Sequence, residues 1–326
     1  PYTLTRPDND LFQTFPPMKY LRFFPGLMHL RGVSKASAQR DVMAGLSVAA
    51  VALPVGLAYA AMMGVPPVAG LWAAIAGMLG YALFGASRTL IVGPDTATCT
   101  LVAATLTGMA LVEPEQRLAA ATAMSLVVGL GYLGARVLRL GVAANLLSRP
   151  VLIGYMAGVA ITLAMSQLSG LTGVGLRNSG LIHPFVELSQ RIHEIRIPTL
   201  ILGFLSCAFL VAIRRWKPKL PGPIVLVVLG CLLSWLFDFQ ALGIAVVGTV
   251  PAGLPSISLP ARIDDLGGLL FGAAGVLVVS FSSGIVTARS FAARNGEHVD
   301  PNRELVGFGA ANVAAGEGAH AGSWTR

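Results

Sequence analysis

The chain is poor in charged residues. Only 12% of its 326 residues are charged and 55% are hydrophobic, whereas soluble domains carry about 25% charged residues. Its mean hydropathy of +0.72 excludes both a soluble globule of this length and a disordered chain, which needs low hydrophobicity and high charge. Three cysteines are too few for a secreted disulfide scaffold. These scarcities favour a polytopic membrane protein.

Signatures of catalysis and of nucleic-acid binding are also missing. The sequence contains no phosphate-binding loop, no Ser/His/Asp or Cys/His signature, no zinc spacing and no paired carboxylates within an apolar segment. We therefore expect no enzyme, no cofactor and no bound metal. The net charge of +8 does not indicate a nucleic-acid partner, because the basic residues form no continuous face interleaved with aromatic residues.

Apolar segments fill most of the remaining sequence. Each is long enough, or nearly so, to cross about 30 Å of hydrocarbon as a helix. They lie at about 41–63, 68–86, 94–112, 117–138, 150–171, 198–213, 221–240 and 265–288, and a ninth begins near 304. This pattern predicts an all-α polytopic membrane protein.

Basic residues alternate between the two ends of these segments. With nine spans, 17 of the 23 Lys and Arg residues fall on the side of the N-terminus and five fall on the opposite side. Since positive charge accumulates in cytoplasmic loops, we expect a cytoplasmic N-terminus. We see no signal peptide and expect an integral protein of the bacterial inner membrane.

The third apolar segment begins with an unusual run of residues. The β-branched stretch 89–92 predicts a short strand, and Gly93 interrupts it. Pro94 suits the first position of a helix, where its missing N–H is harmless. The helix that follows, to about residue 112, is short for a full crossing. We interpret this element as strand, break and half-helix.

Two interpretations of this half-helix remain open from the residues alone. A helix that begins inside the membrane directs free N–H groups and the positive end of its dipole into a cavity, which makes an anion site from backbone. Alternatively, the segment begins at the membrane edge, where Asp95 caps it without contacting a substrate.

Asp95 is the carboxylate that we expect in the interior of the bundle, while the other fourteen acidic residues fall in loops, tails or span ends. Intramembrane acids are costly and usually functional. Asp95 either titrates as a proton relay or binds a coupling cation beside the anion site, or it caps the half-helix; these roles can coexist. Because a fixed negative charge would oppose an anionic substrate, we expect proton binding to accompany anion binding.

Several ordered motifs resemble those of one membrane protein family. The first span carries Pro54-x-Gly-Leu-Ala-Tyr-Ala, and the second ends in Tyr81-Ala-Leu-Phe-Gly-x-Ser-Arg. Further matching motifs lie at 64–71, 92–94, 148–154, 166–168, 198–200, 220–223, 285–296 and 302–305. From about residue 15 to 316 the chain resembles the sulfate permease family, known in animals as solute carrier family 26.

The resemblance implies a fold of fourteen membrane segments in two inverted repeats of seven, in which a core domain moves against a gate domain. It places an anion between the third and tenth half-helices, beside the first and eighth segments. Residue by residue, the substrate-binding candidates that it implies are Val55, Tyr59, Asp95, Thr96, Ala97, Ser283 and Gly284. Asp95 is also the candidate for coupling to a proton or cation.

The chain departs from the family pattern in three respects. Ser283 stands where many members carry an acid, so either Asp95 takes the coupling role or coupling is lost. The sequence diverges after Gly316. It then stops before the tenth half-helix, the remaining segments and the cytoplasmic STAS domain that most members carry. We expect a fragment, a frameshifted gene or a truncated product that does not transport by itself.

The expected organisation follows the family. Residues 1–40 form a cytoplasmic N-terminal segment, and 317–326 form a divergent tail. Residues 41–316 form the transmembrane domain, with core segments at about 41–138 and 265–316 and gate segments at about 150–240.

The function that we expect is that of a secondary active anion transporter. Its partners would be sulfate, bicarbonate or a dicarboxylate, a proton or sodium ion, the lipid bilayer and, in the full-length form, a second copy of the chain. A non-transporting membrane module or partner subunit is one alternative. A nucleobase-type permease of the same fold is a second, and an ion channel is a third.

Overall fold

The computed structural model describes residues 26, 34–87, 90–141, 149–176, 183–217, 220–246, 265–296 and 299–320. These residues form α-helices joined by short connections. The helices are α1 (Lys35–Met63), α2 (Pro67–Phe84), α3 (Thr96–Gly108), α4 (Pro114–Val137), α5 (Arg149–Thr172), α6 (His183–Gln190), α7 (Ile197–Trp216), α8 (Gly222–Phe237), α9 (Leu266–Asn295) and α10 (Pro301–His320).

All nine apolar segments form helices, which confirms the all-α prediction. Within the described residues, five stretches are long and apolar enough to cross a membrane: Ser37–Met63, Pro67–Phe84, Pro114–Val137, Ile197–Trp216 and Leu266–Ala293. Helices α3 and α8 are apolar but shorter. The short helix α6, between α5 and α7, was not expected from the sequence. The chain is therefore an integral membrane protein.

The predicted strand at 89–92 is wrong for the residues that can be compared. Residues 90–92 have no regular secondary structure, and Thr89 lies outside the described residues. A strand needs a neighbouring strand to bond, and the described part of the chain contains none. Helix α3 begins at Thr96 instead of Pro94, and it ends at Gly108, about one turn before the predicted end.

Helix α10 lies between α2 and α4, close to the backbones of both. Small residues permit this approach, as in other membrane helix pairs. A Cβ atom on Gly80 of α2 would lie 2.6 Å from the Ala310 carbonyl oxygen, and one on Gly129 of α4 would lie 3.0 Å from that of Gly309. The interior that results also includes α3 and α9. Its buried members include Tyr81, Leu106, Met124, Tyr132, Leu269, Leu305 and Phe308.

Packing divides the helices into two groups. Helix α1 contacts α2 and α3, and α9 contacts α3, α4 and α10. In the second group, α7 contacts both α5 and α8. Helix α1 also contacts α8, so it touches both groups. The start of α3 thus belongs to the group that contains α1, α4, α9 and α10.

Arg117 joins the ends of α1 and α3 to the start of α4. Its guanidinium group donates to the carbonyl oxygens of Met63 at 3.0 Å and Leu111 at 2.9 Å, and to Thr107 Oγ1 at 3.4 Å. Gly64 makes room for this side chain: a Cβ atom there would lie 2.8 Å from Arg117 Nη1, and its φ of 71° suits glycine. Arg117 therefore fixes α1 relative to α3.

Replacing Arg117 with methionine should lower the free energy of unfolding by about 2 kcal/mol. Hydrogen bonds from a charged group contribute about 1.5–3 kcal/mol, and the Arg117 side chain is only partly buried, so solvent weakens them. Thermal unfolding in detergent measures the loss. Gln116→Met, at the exposed neighbouring position, is the control and should have little effect. Equal melting temperatures for the two variants would show that Arg117 does not join these helices.

Candidate functional site

The start of α3 is fixed by Asp95. This residue has extended backbone angles and is the N-cap of the helix. One carboxylate oxygen accepts the Thr98 N–H at 3.1 Å, and the other accepts the Thr98 hydroxyl group. Asp is among the preferred N-cap residues because its side chain satisfies first-turn donors in this way. The prediction that Asp95 caps this helix is confirmed, while its contact with a substrate and its coupling role stay predictions.

The cap leaves two first-turn donors directed out of the helix end. The Cys99 N–H bonds the Asp95 carbonyl oxygen at 3.0 Å, and the Thr98 N–H bonds the Asp95 side chain. The N–H groups of Thr96 and Ala97 stand at positions for which an α-helix supplies no internal acceptor. Thr96 is half-buried and Ala97 is exposed. Together with the positive end of the helix dipole, these donors suit an anion.

Helix α1 contributes a hydroxyl group to the same place. The Tyr59 hydroxyl group lies 2.6 Å from Thr96 Oγ1, and either can donate the hydrogen bond. Both side chains are half-buried. The structure therefore brings together two of the predicted site residues from different helices, with Asp95 next in the chain. Val55, half-buried, lies one turn before Tyr59 on α1.

The two candidates on α9 have different surroundings. Gly284 lies against the ring of Phe308 on α10, where a Cβ atom would lie 2.7 Å from Cζ. Ser283 is half-buried, and its carbonyl oxygen accepts the Thr287 hydroxyl group at 2.8 Å. No hydrogen bond among the described residues joins Ser283 or Gly284 to the first turn of α3. Their contribution to the site stays a prediction.

Tyr132 and Ser280 are polar neighbours of the site that the sequence did not single out. Tyr132 of α4 is 1% exposed, and its hydroxyl group hydrogen-bonds Ser280 Oγ of α9 at 2.5 Å. The Asp95 carboxylate is close enough for its charge to act on Tyr132, Tyr59 and Cys99. The sequence feature that could have indicated this hydrogen bond is a tyrosine within a predicted span, because a buried tyrosine hydroxyl group usually has a hydrogen-bond partner.

A second missed residue corrects the prediction that only Asp95 lies in the interior. Glu304 of α10 is 0% exposed, while Asp95 is partly buried. The sequence places Glu304 at the beginning of the ninth span, but α10 packs between α2 and α4 from its first turn. The sequence feature that could have indicated the importance of Glu304 is the motif at 302–305, which contains this acid.

Comparison with known proteins identifies the same family as the sequence motifs. The family model described as "Sulfate permease family" matches residues 39–319. A probable sulfate transporter of Mycobacterium tuberculosis is 42% identical over 305 residues, which are 92% of this chain and 54% of that protein. Human solute carrier family 26 member 6 is 30% identical over 85% of this chain and 39% of its own length. The chain thus spans about half the length of these curated relatives.

Solved structures share the fold. The structure of SLC26A9 superposes with a TM-score of 0.74 at 20% identity and covers 92% of this chain and 51% of its own. The transmembrane domain of the cyanobacterium bicarbonate transporter BicA superposes with a TM-score of 0.66 at 27% identity, covering 89% of this chain and 75% of its own. With the family model matching most of its length, the chain belongs to the sulfate permease family.

Proposed function

We propose that this protein is a secondary active anion transporter whose anion binds at the first turn of α3. The observation that carries the proposal is the pairing of Tyr59 with Thr96 beside the N–H groups of Thr96 and Ala97. A helix end of this kind stabilises negative charge without a basic side chain. The relatives named as sulfate and bicarbonate transporters favour sulfate or bicarbonate as the substrate, and a dicarboxylate stays a further candidate.

The charge of Asp95 determines whether a cation would have to bind together with the anion. Its carboxylate lies at the same helix end and repels an approaching anion when it is ionised. Binding of a proton or sodium ion at Asp95 would cancel this repulsion. Anion and cation would then bind together, which is the basis of coupled uptake. The Thr98 hydroxyl group and N–H, which now hold the carboxylate, keep it in place in either state.

The two packing groups suggest how the site would move. We assign α1–α4, α9 and α10 to a core domain and α5, α7 and α8 to a gate domain, with the contact between α1 and α8 at their boundary. Motion at this boundary would expose the start of α3 to either side of the bilayer. The N-terminus would be cytoplasmic, in a bacterial inner membrane, and two copies would form a homodimer.

Uptake by purified protein in lipid vesicles tests the function. The natural gene product should accumulate labelled sulfate or bicarbonate in a saturable manner, and uptake should depend on an imposed proton or sodium gradient. Inhibition by excess unlabelled anion but not by uracil would distinguish an anion transporter from a nucleobase permease. Absence of anion uptake, or conductance without saturation, would contradict the proposal.

Tyr59→Phe should reduce the apparent affinity for the anion about five-fold, because a neutral hydrogen bond contributes about 1 kcal/mol and Thr96 loses its partner. Thr96→Val should have at least the same effect. Initial uptake rates over a range of anion concentrations measure KM and kcat separately. Ser47→Ala, which removes a hydroxyl group bonded to the Met43 carbonyl oxygen within α1, is the control. Unchanged KM in both variants would exclude this pair from the binding site.

A further inference from the structure

Glu304 is a buried carboxyl group that the proposed transport mechanism does not use. It is 0% exposed in the first turns of α10. Its Oε2 accepts the hydroxyl group of Tyr81, from α2, at 2.6 Å. Its Oε1 is buried and has no hydrogen-bond partner among the described residues. One of its two oxygens is therefore shielded from water.

Among the described residues, the groups that act on Glu304 supply no compensating positive charge. From α2 it faces the neutral Tyr81, and from the connection after α2 it faces the main-chain N–H of Ser87, an uncharged donor that favours the ionised form. Asp300, just before α10, is the charged group that acts on it, and its charge is also negative. From α4, Tyr132 packs against the other side of Phe308, whose ring centroid lies 5.7 Å from that of Tyr132 and 6.0 Å from that of Tyr81. Arg88 lies outside the described residues.

Close packing prevents water from reaching this carboxyl group. A Cβ atom on Gly307, one turn along α10, would lie 2.7 Å from Gly85 Cα and 2.8 Å from the Tyr81 ring. The rings of Tyr81 and Phe308 stack with their centroids 6.0 Å apart. The start of α10 thus fits against the end of α2 without space for a solvent shell. Separation of the two helices would be needed to hydrate Glu304.

An ionised carboxylate in these surroundings is far more costly than a neutral acid. Burial of an isolated charge costs far more free energy than burial of a neutral hydroxyl group without a partner. A metal cation is a poor alternative occupant, because hard cations need six or more oxygen ligands and the described residues offer only Glu304, Tyr81 and Ser87 here. The occupant that fits this space is a proton.

We propose that the Glu304 carboxyl group is a proton-binding site, occupied while α2 and α10 are packed together. The proton adds to the carboxylate to give the neutral acid, and its loss to water leaves a charge that this packing cannot hold. Proton binding at Glu304 thereby stabilises the contact between α2 and α10. The Phe308 ring packs against both Tyr81 and Tyr132, and so connects this contact to the hydrogen bond between Tyr132 and Ser280. The proposal does not depend on transport.

Infrared spectroscopy of the natural gene product in lipid vesicles tests the proton directly. A protonated buried carboxyl group gives a carbonyl stretching band that an ionised carboxylate lacks. At pH 7 we expect this band in the unsubstituted protein, its loss in Glu304→Gln and its shift in Tyr81→Phe, which removes the hydrogen bond to Oε2. Glu115→Gln, at an exposed site in the first turn of α4, is the control and should leave the band unchanged.

Stability gives a second test that remains usable if a variant folds poorly. If the folded state holds a proton at Glu304 that the unfolded state releases, unfolding liberates protons. Stability then falls as pH rises from about 4.3, where an unfolded glutamate ionises, to the pH at which the folded state also releases its proton. The melting temperature of the unsubstituted protein should therefore fall with pH, and that of Glu304→Gln should fall less. A spectrum without the band at pH 7, or identical pH dependence in both proteins, would overturn the proposal and indicate an ionised, paired Glu304.

Discussion

Replacing Gly70 with alanine should separate α1 from α2 and remove most of the anion uptake that we propose. A Cβ atom at this position would overlap the Gly56 carbonyl oxygen and lie 2.7 Å from the Ala60 Cβ atom. Neither neighbour can rotate away, since one is backbone and the other is a methyl group. Overpacking of this kind costs about 1–3 kcal/mol. Because α1 carries Tyr59, its displacement also removes the contact to Thr96.

The measurement combines thermal unfolding in detergent with anion uptake in vesicles. Gly45→Ala is the matched control: Gly45 lies on α1, is exposed, and a Cβ atom there meets nothing within 4 Å. It should be neutral or stabilising, because alanine favours a helix by about 1 kcal/mol over glycine. Gly56→Ala, with its Cβ atom 3.2 Å from the Gly70 carbonyl oxygen, should be intermediate. Equal stability of the Gly70 and Gly45 variants would contradict the packing.

The helices could be predicted from the sequence because a membrane span has a simple signature, an apolar run of about 20 residues. The residues at which these helices begin and end depend on capping side chains and on the polar residues that flank the apolar run. Helix α1 begins at Lys35, six residues before the predicted span, because Ser34 caps it and polar residues extend a helix beyond the apolar run. The strand predicted at 89–92 was wrong for residues 90–92, because a strand requires a neighbouring strand that local composition does not reveal.

The candidate site was predictable only in part. The first turn of α3 could be found from its own residues, because Gly93, Pro94 and Asp95 are typical of a helix start. Its contact with Tyr59 depends on how α1 and α3 pack, and the family resemblance, not the spacing of residues, indicated it. Burial of Glu304 was missed for a related reason: exposure at a helix end depends on which neighbours cover it.

Substitution of Asp95 separates its two roles, because asparagine is about as good an N-cap as aspartate. Asp95→Asn should keep the hydrogen bond from the Thr98 N–H and should change the free energy of unfolding by only about 0.5 kcal/mol. Asp95→Ala removes the cap as well and should cost about 1 kcal/mol. Thermal unfolding of the two variants measures this difference, which reports on the cap alone.

Uptake by the same variants reports on coupling. If a proton or cation at Asp95 accompanies the anion, Asp95→Asn should lose the stimulation of uptake by an imposed gradient. Downhill exchange of the anion should persist, because the Thr96 and Ala97 N–H groups remain in place. Asp41→Asn, which removes an exposed acid from α1, should retain the stimulation. Full pH-dependent uptake by Asp95→Asn would leave Asp95 with capping alone. Coupling would then need a different carboxyl group, and Glu304 and Glu317 of α10 both have a buried carboxylate oxygen.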